Sequence, residues 1–150
     1  MLGICNGFQI LCEAELLPGV LLQNVQRKFL SRFVRMKVES TTPFTRKIKP
    51  GSIITCPIAH GEGNYFAFPD AIARLEGEGQ VVFRYADSAG KVDPADLETN
   101  PNGAMNGIAG ICNQKRNVVG LMPHPERSSE SIVGFIGGES GRVVFESVMV

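Results

Sequence analysis

The side chains best suited to covalent chemistry lie near the two ends of this sequence. Gly3-Ile4-Cys5-Asn6-Gly7-Phe8-Gln9 sets a cysteine between glycines where an apolar strand gives way to a helical pattern. That is the pattern of a nucleophile elbow, a sharp strand-to-helix turn that pushes the central side chain out above a sheet. The glycines are expected on steric grounds, because the turn is strained and a Cβ on either neighbour would clash across it. Cys5 would then sit at a helix N-terminus, whose unpaired N–H groups stabilise the negative charge an attacking sulfur carries. Taken alone the motif is weak, since short glycine-spaced patterns recur by chance and free cysteine is often a small buried apolar residue.

Met122-Pro123-His124-Pro125-Glu126-Arg127 supplies what a thiol nucleophile needs. A proline biases the residue before it toward an extended conformation, so the segment is expected to run extended. In an extended chain residues i and i+2 share a side, which puts His124 and Glu126 on one face. A carboxylate there can orient an imidazole that takes a proton from a thiol. The alternative is a proline-rich surface loop with a solvated ion pair. The sequence has only two histidines, His60 and His124, so a Cys/His site has few candidates.

Those residues must be positioned by a fold, and 150 residues are enough for one domain with a substantial core. The 15 basic and 15 acidic residues balance. No basic block argues for nucleic acid, and no apolar run is long enough to span a membrane. The four cysteines lack the spacing of a zinc site, so no metal is expected. Cys12, Cys56 and Cys112 read as buried thiols of a cytoplasmic protein.

The pattern predicts a helix over Asn6–Glu15, halted by Pro18-Gly19, with Phe8, Leu11 and Cys12 on its apolar face. Phe33–Glu39 alternates as a half-buried strand, with Val34, Met36 and Val38 inward. Ser52–Cys56 and Val81–Tyr85 are further strands. Asp70–Leu75 is a short helix with Asp70 as its cap. Pro94–Gly103 is an irregular loop. Ile108–Cys112 and Val118–Met122 form a hairpin that delivers the chain to His124, and Arg142–Val150 is a terminal helix. The opening strand, Met1–Ile4, is of a kind that normally lies centrally in a parallel sheet. The mixture indicates an α/β domain with some antiparallel pairing.

With both ends in view, the sequence resembles the class I (triad-type) glutamine amidotransferases. Among these it resembles the glutaminase subunits of phosphoribosylformylglycinamidine synthase. The resemblance rests on the Cys5 elbow, Cys56-Pro57-Ile58-Ala59-His60-Gly61-Glu62-Gly63, Arg84-Tyr85, Asn100-Pro101-Asn102-Gly103, Ile108-Ala109-Gly110-Ile111 and Gly120-Leu121-Met122-Pro123-His124-Pro125-Glu126-Arg127. These segments cover nearly the whole chain in the family's order.

The resemblance implies a three-layer, flavodoxin-like α/β fold that hydrolyses L-glutamine to glutamate and ammonia. Cys5 matches the nucleophile, His124 the base and acid, and Glu126 the residue that orients His124. The Asn6 N–H matches half of the oxyanion hole, Asn6 and Gly7 fall among the substrate-binding residues, and Gln9 matches a residue near the substrate amide. His60, Gly61 and Glu62 match a loop that holds the amino-acid end of glutamine or meets a partner; a flexible loop with solvated side chains is the alternative. Arg84 and Asn100–Asn106 are candidates for partner contact, but they read more simply as a strand-edge charge and a set of turns.

The family pairs this subunit with a large ATP-dependent synthetase and a small third protein, so ATP and Mg²⁺ are expected at that partner and no cofactor here. It also carries strands and helices upstream, with a glycine-rich loop that supplies one oxyanion-hole N–H. On that basis the chain is expected to be the C-terminal portion of the family domain, an N-terminally truncated form and a weak glutaminase by itself. Rival readings are an inactive fragment that keeps partner binding, and a γ-glutamyl peptidase of the same fold.

Overall fold

A computed structural model describes residues 1–133 and 139–149 of the chain. Its frame is a six-stranded sheet in the order β1-β8-β7-β6-β3-β4, formed by Leu2–Ile4 (β1), Val119–Leu121 (β8), Ile108–Cys112 (β7), Val81–Ala86 (β6), Leu30–Val38 (β3) and Ile53–His60 (β4). Only β1 and β8 run parallel; the remaining pairs are antiparallel. Among the described residues three α-helices complete it: Asn6–Glu13 (α1), Pro69–Gly77 (α2) and Arg142–Glu146 (α3). A two-stranded antiparallel ribbon, Val20–Leu22 (β2) with Asn64–Phe66 (β5), lies beside them. The sequence pattern gave no sign of that ribbon, whose strands are only three residues each.

The alternating pattern of β3 is realised as expected: Val34, Met36 and Val38 are buried and Arg35 is exposed. The β7–β8 hairpin forms around residues 113–117. Phe8, Leu11 and Cys12 bury the inner face of α1, and Phe8 lies on Gly120 of β8, where a Cβ would come within 2.2 Å of its ring. Cys12, Cys56 and Cys112 are buried free thiols. Among the described residues no helix is long and apolar enough to cross a membrane.

Several elements differ from the sequence expectation. α1 ends at Glu13, where Ala14 leaves the helix and Glu15 takes φ 57°. β1 pairs with β8 alone among the described residues. β4 runs four residues past Cys56, straight through Pro57. A proline is tolerated there because β4 is an edge strand and no ladder needs its missing N–H.

α2 starts at Pro69 with Phe68 as its cap, and Asp70 falls in the first turn; proline suits that first position. Arg84 is on an interior strand, not an edge. It pairs with Glu76 and Glu39 and donates to the Asn106 carbonyl at 2.7 Å. α3 stops at Glu146, leaving Val148 exposed, and Val150 lies outside the described residues.

Candidate active site

β1 ends at Ile4 and α1 begins at Asn6, so Cys5 alone makes the turn between them. It does so at φ 51°, ψ −108°, a costly conformation for a residue with a Cβ. The turn is held by the Cys5 N–H, which donates to Leu121 O at 2.8 Å, and by the Cys5 carbonyl, which accepts from Phe8 and Gln9. Gly3 is a steric necessity: a Cβ would lie 2.5 Å from Leu11 Cδ1 and 2.7 Å from Gly7 O. Gly7 is not, since a Cβ there meets nothing within 4 Å. The requirement is one-sided because the strand side of the elbow is packed under α1, whereas Gly7 faces open space.

Helix starts leave their first N–H groups unpaired. Phe8 and Gln9 return theirs to Cys5 O. Among the described residues nothing accepts from the N–H of Asn6 or Gly7, which leaves two donors beside the sulfur.

His124 arrives from β8. Its N–H donates to Pro57 O on β4 at 2.8 Å, so the edge strand fixes where the histidine stands. The segment does not run extended. His124 itself is non-helical (φ −104°, ψ 86°), but Pro125–Ser128 winds into a 3₁₀ turn. Pro125 does disfavour helix at His124, yet its own fixed φ suits the first position of a turn. Turn geometry, not strand alternation, therefore brings Glu126 to His124, with Oε1 2.5 Å from Nδ1. The turn is braced from the C-terminal side by Gly141, whose N–H donates to Ser128 O at 2.8 Å. A Cβ at Gly141 would come within 2.2 Å of Pro125 O.

The electrostatics join the three residues. His124 is raised from its ordinary 6.5 to about 9, first by the Cys5 side chain and then by the hydrogen bond to Glu126, against the opposing effect of burial. Burial pushes the Glu126 carboxyl upward, but the hydrogen bond and positive charge of His124, with Arg127 beside it, outweigh this and hold it below its ordinary value. Nε2 of His124 is buried and has no hydrogen-bond partner among the described residues. Cys5 Sγ lies 3.9 Å from Ala59 O of β4.

Gln9, one turn along α1, donates from Nε2 to Glu62 O at 2.8 Å and ties the elbow helix to residues 60–63. Those residues are not a loose loop. His60 ends β4, is 4% exposed, and is pushed down to about 4, first by burial and also by the charge of His124. Gly61 and Glu62 follow it, and Gly63 is packed flat on the His60 ring, where a Cβ would lie 2.1 Å from Cε1.

Three buried residues hold this corner: Asn24, which the sequence reading passed over, and Asn102 and Tyr85, to which it gave no part in the site. Asn102 Nδ2 donates to Gly63 O at 2.7 Å and lies 2.9 Å from the Tyr85 hydroxyl. Asn-Pro-Asn-Gly does form turns, but its second asparagine is a buried hub; the nearest signal was the motif itself.

Among the described residues no cluster of three His, Cys, Asp or Glu could hold a metal. A cleft of about 720 Å³ opens at the far end of α1, lined by Cys12, Leu17, Arg74 and Gln114 among others. It includes none of the residues that meet at Cys5.

The sequence model of the CobB/CobQ-like glutamine amidotransferase domain matches residues 1–136. The chain belongs to this amidotransferase family. It is 53% identical over 150 residues to the phosphoribosylformylglycinamidine synthase subunit PurQ of Chelativorans sp. strain BNC1, covering 99% of this chain and 62% of that protein. To the subunit of the same name from Bradyrhizobium diazoefficiens it is 56% identical over 139 residues, covering 92% of this chain and 58% of that one. The chain thus spans about three fifths of the length of these relatives.

Among solved structures, a chain of PurLQS from Thermotoga maritima superposes with a TM-score of 0.79 at 42% identity, over 99% of this chain and 59% of that one. A Thermoplasma acidophilum structure shares the fold at a TM-score of 0.56 and 15% identity, over 98% of this chain and 54% of that one. The mixed α/β architecture is thus that of an amidotransferase domain.

Proposed function

We propose that this amidotransferase chain hydrolyses L-glutamine and supplies the ammonia to a phosphoribosylformylglycinamidine synthase in purine biosynthesis. Cys5, His124 and Glu126 are its proposed catalytic residues. One observation carries the reading: Glu126 holds Nδ1 of His124 and leaves Nε2 buried and unpartnered, while Cys5 stands at a strained elbow between β1 and α1. That is the division of labour of a nucleophile, base and orienting acid.

His124 takes the Cys5 proton, which with the ring raised to about 9 happens before substrate arrives, and the sulfur attacks the glutamine side-chain carbonyl carbon. The oxyanion that forms is met by the open N–H of Asn6 and, as the resemblance implies, by a second N–H from the glycine-rich loop upstream. His124, now protonated, gives its proton to the departing nitrogen, and ammonia leaves with cleavage of the C–N bond. Water, deprotonated by His124, attacks the thioester; glutamate leaves and the thiol is restored. Gln9 and residues His60–Glu62 line the same corner and suit the amino-acid end of the substrate.

The partners in this reading are a large ATP-dependent synthetase and a small third subunit, with ATP and Mg²⁺ bound there and the complex in the cytoplasm. The PurLQS likeness and the PurQ relatives support it. The test is glutamate release from L-glutamine by the chain in complex with its synthetase, with and without Cys5→Ala. Cys5-dependent release is expected. Release that survives the substitution, or a preference for γ-glutamyl peptides, would overturn the assignment, and intact complex formation without release would leave only a docking role.

A further inference from the structure

Asn24 lies in the polar segment between β2 and β3, and its side chain uses its whole hydrogen-bonding capacity in the interior. Nδ2 donates to Lys28 O and to His60 O, both at 2.8 Å. Oδ1 accepts from the Gly63 N–H at 3.0 Å and lies 3.1 Å from His60 Nδ1. The orientation of the amide is forced. Two carbonyl oxygens can face only its NH₂ group, and an N–H donor can face only its oxygen. His60 Nδ1 therefore meets an acceptor and must carry the proton. In a neutral ring Nε2 is then the unprotonated nitrogen, able only to accept.

We propose that Asn24 is a positioning residue. It locks His60 in the Nδ1–H tautomer and so presents Nε2 as a buried acceptor for an N–H group of the bound glutamine.

The inference rests on the amidotransferase reading above, and four features of the corner support it. His60 Nε2 is buried without a partner among the described residues, a costly arrangement unless a ligand supplies the donor. The ring is fixed in place, since Gly63 lies against it with no room for a Cβ. The backbone cannot swing away either: Asn24 also donates its own N–H to Gly61 O at 2.9 Å, and Asn102 holds Gly63 O. The histidine follows directly on Ala59, whose carbonyl faces the Cys5 sulfur, and its proton affinity senses His124. Burial keeps the ring neutral, so it accepts without competing with His124 for protons.

The test begins with the unaltered chain, labelled with ¹⁵N. Long-range proton–nitrogen correlation spectra should show His60 protonated on Nδ1; a proton on Nε2 overturns the proposal. L-Glutamine added to Cys5→Ala, which cannot turn it over, should shift the His60 Nε2 resonance. Saturable glutamine binding with no such shift overturns the acceptor role.

Adding Asn24→Asp puts an oxygen against the carbonyls of Lys28 and His60 and a negative charge beside Nδ1. The expected result is a His60 that holds a second proton and glutamine binding weakened about tenfold. A Kd that stays unchanged although His60 takes a second proton also overturns the proposal. If Asn24→Asp fails to fold, the tautomer in the unaltered chain still decides. A complex that releases no glutamate would sink the functional reading while leaving the His60 result standing.

Discussion

The two histidines of this chain sit at the two ends of one short stretch of β4 and are driven in opposite directions. His124 hangs by its N–H from Pro57 O and is raised to about 9; His60 ends the same strand and is lowered to about 4. Both are largely buried, so burial is not what separates them. The neighbours differ. His124 has the Cys5 side chain and, at Nδ1, a carboxylate, and these favour the charged ring; His60 has a neutral amide oxygen at Nδ1, which cannot offset the loss of water. One corner thereby gains a ring that exchanges protons and, a few residues away, one that does not.

The sharpest way to break that contrast is to remove each ring in turn. His124→Asn should lower kcat for glutamate release by roughly 10²–10⁴, the scale of a lost general base. His60→Asn should act mainly on KM for glutamine. Equal losses of kcat would erase the distinction.

Direct titration by NMR comes next in size. The His124 ring should change charge near pH 9 and the His60 ring near pH 4. Glu126→Gln should bring His124 back toward its ordinary 6.5 and leave His60 largely where it was. A His124 that stays near 9 without the carboxylate would show that Cys5 alone sets it.

The same shifts fix how stability follows pH, read by chemical denaturation. His124 binds its proton more tightly folded than unfolded. Its contribution is complete below about pH 6.5 and is lost as pH rises through 9. His60 is the reverse: its contribution is complete above about 6.5 and drains away as pH falls toward 4. Glu126→Gln should flatten the alkaline loss only.

The smallest effects belong to the glycines. Gly63→Ala drives a methyl into the His60 ring and should cost about 1–3 kcal/mol of unfolding free energy. Gly7→Ala meets open space inside a helix and should be neutral or stabilising by up to about 1 kcal/mol. Thermal unfolding of the two variants side by side separates the packed corner from the open one.

How much of this could be read from the sequence depended on whether the cause was local. The elbow at Cys5, the alternation of β3 and the β7–β8 hairpin each follow from neighbours along the chain, and each forms. The turn at Pro125 was misjudged because proline sends two local messages: it discourages helix before itself and favours it after. His60 was open to a solvated reading because nothing in His60-Gly61-Glu62-Gly63 reveals that Asn24 and Asn102 close over it. Those contacts span 36 and 39 residues and exist only once the sheet has folded. The proposed triad was legible by residue type. The buried amides that hold the second histidine were not, since asparagine in a polar stretch looks like any other turn residue.

The parallel pairing of β1 with β8 joins Gly3 to Gly120 across more than a hundred residues, and the brace at Gly141 comes later still. Such distant closure is slow, because so much chain must be drawn in before any contact rewards it. Within this stretch Cys5 is therefore synthesised well before His124, and the two meet only once the residues between them have been drawn into the sheet.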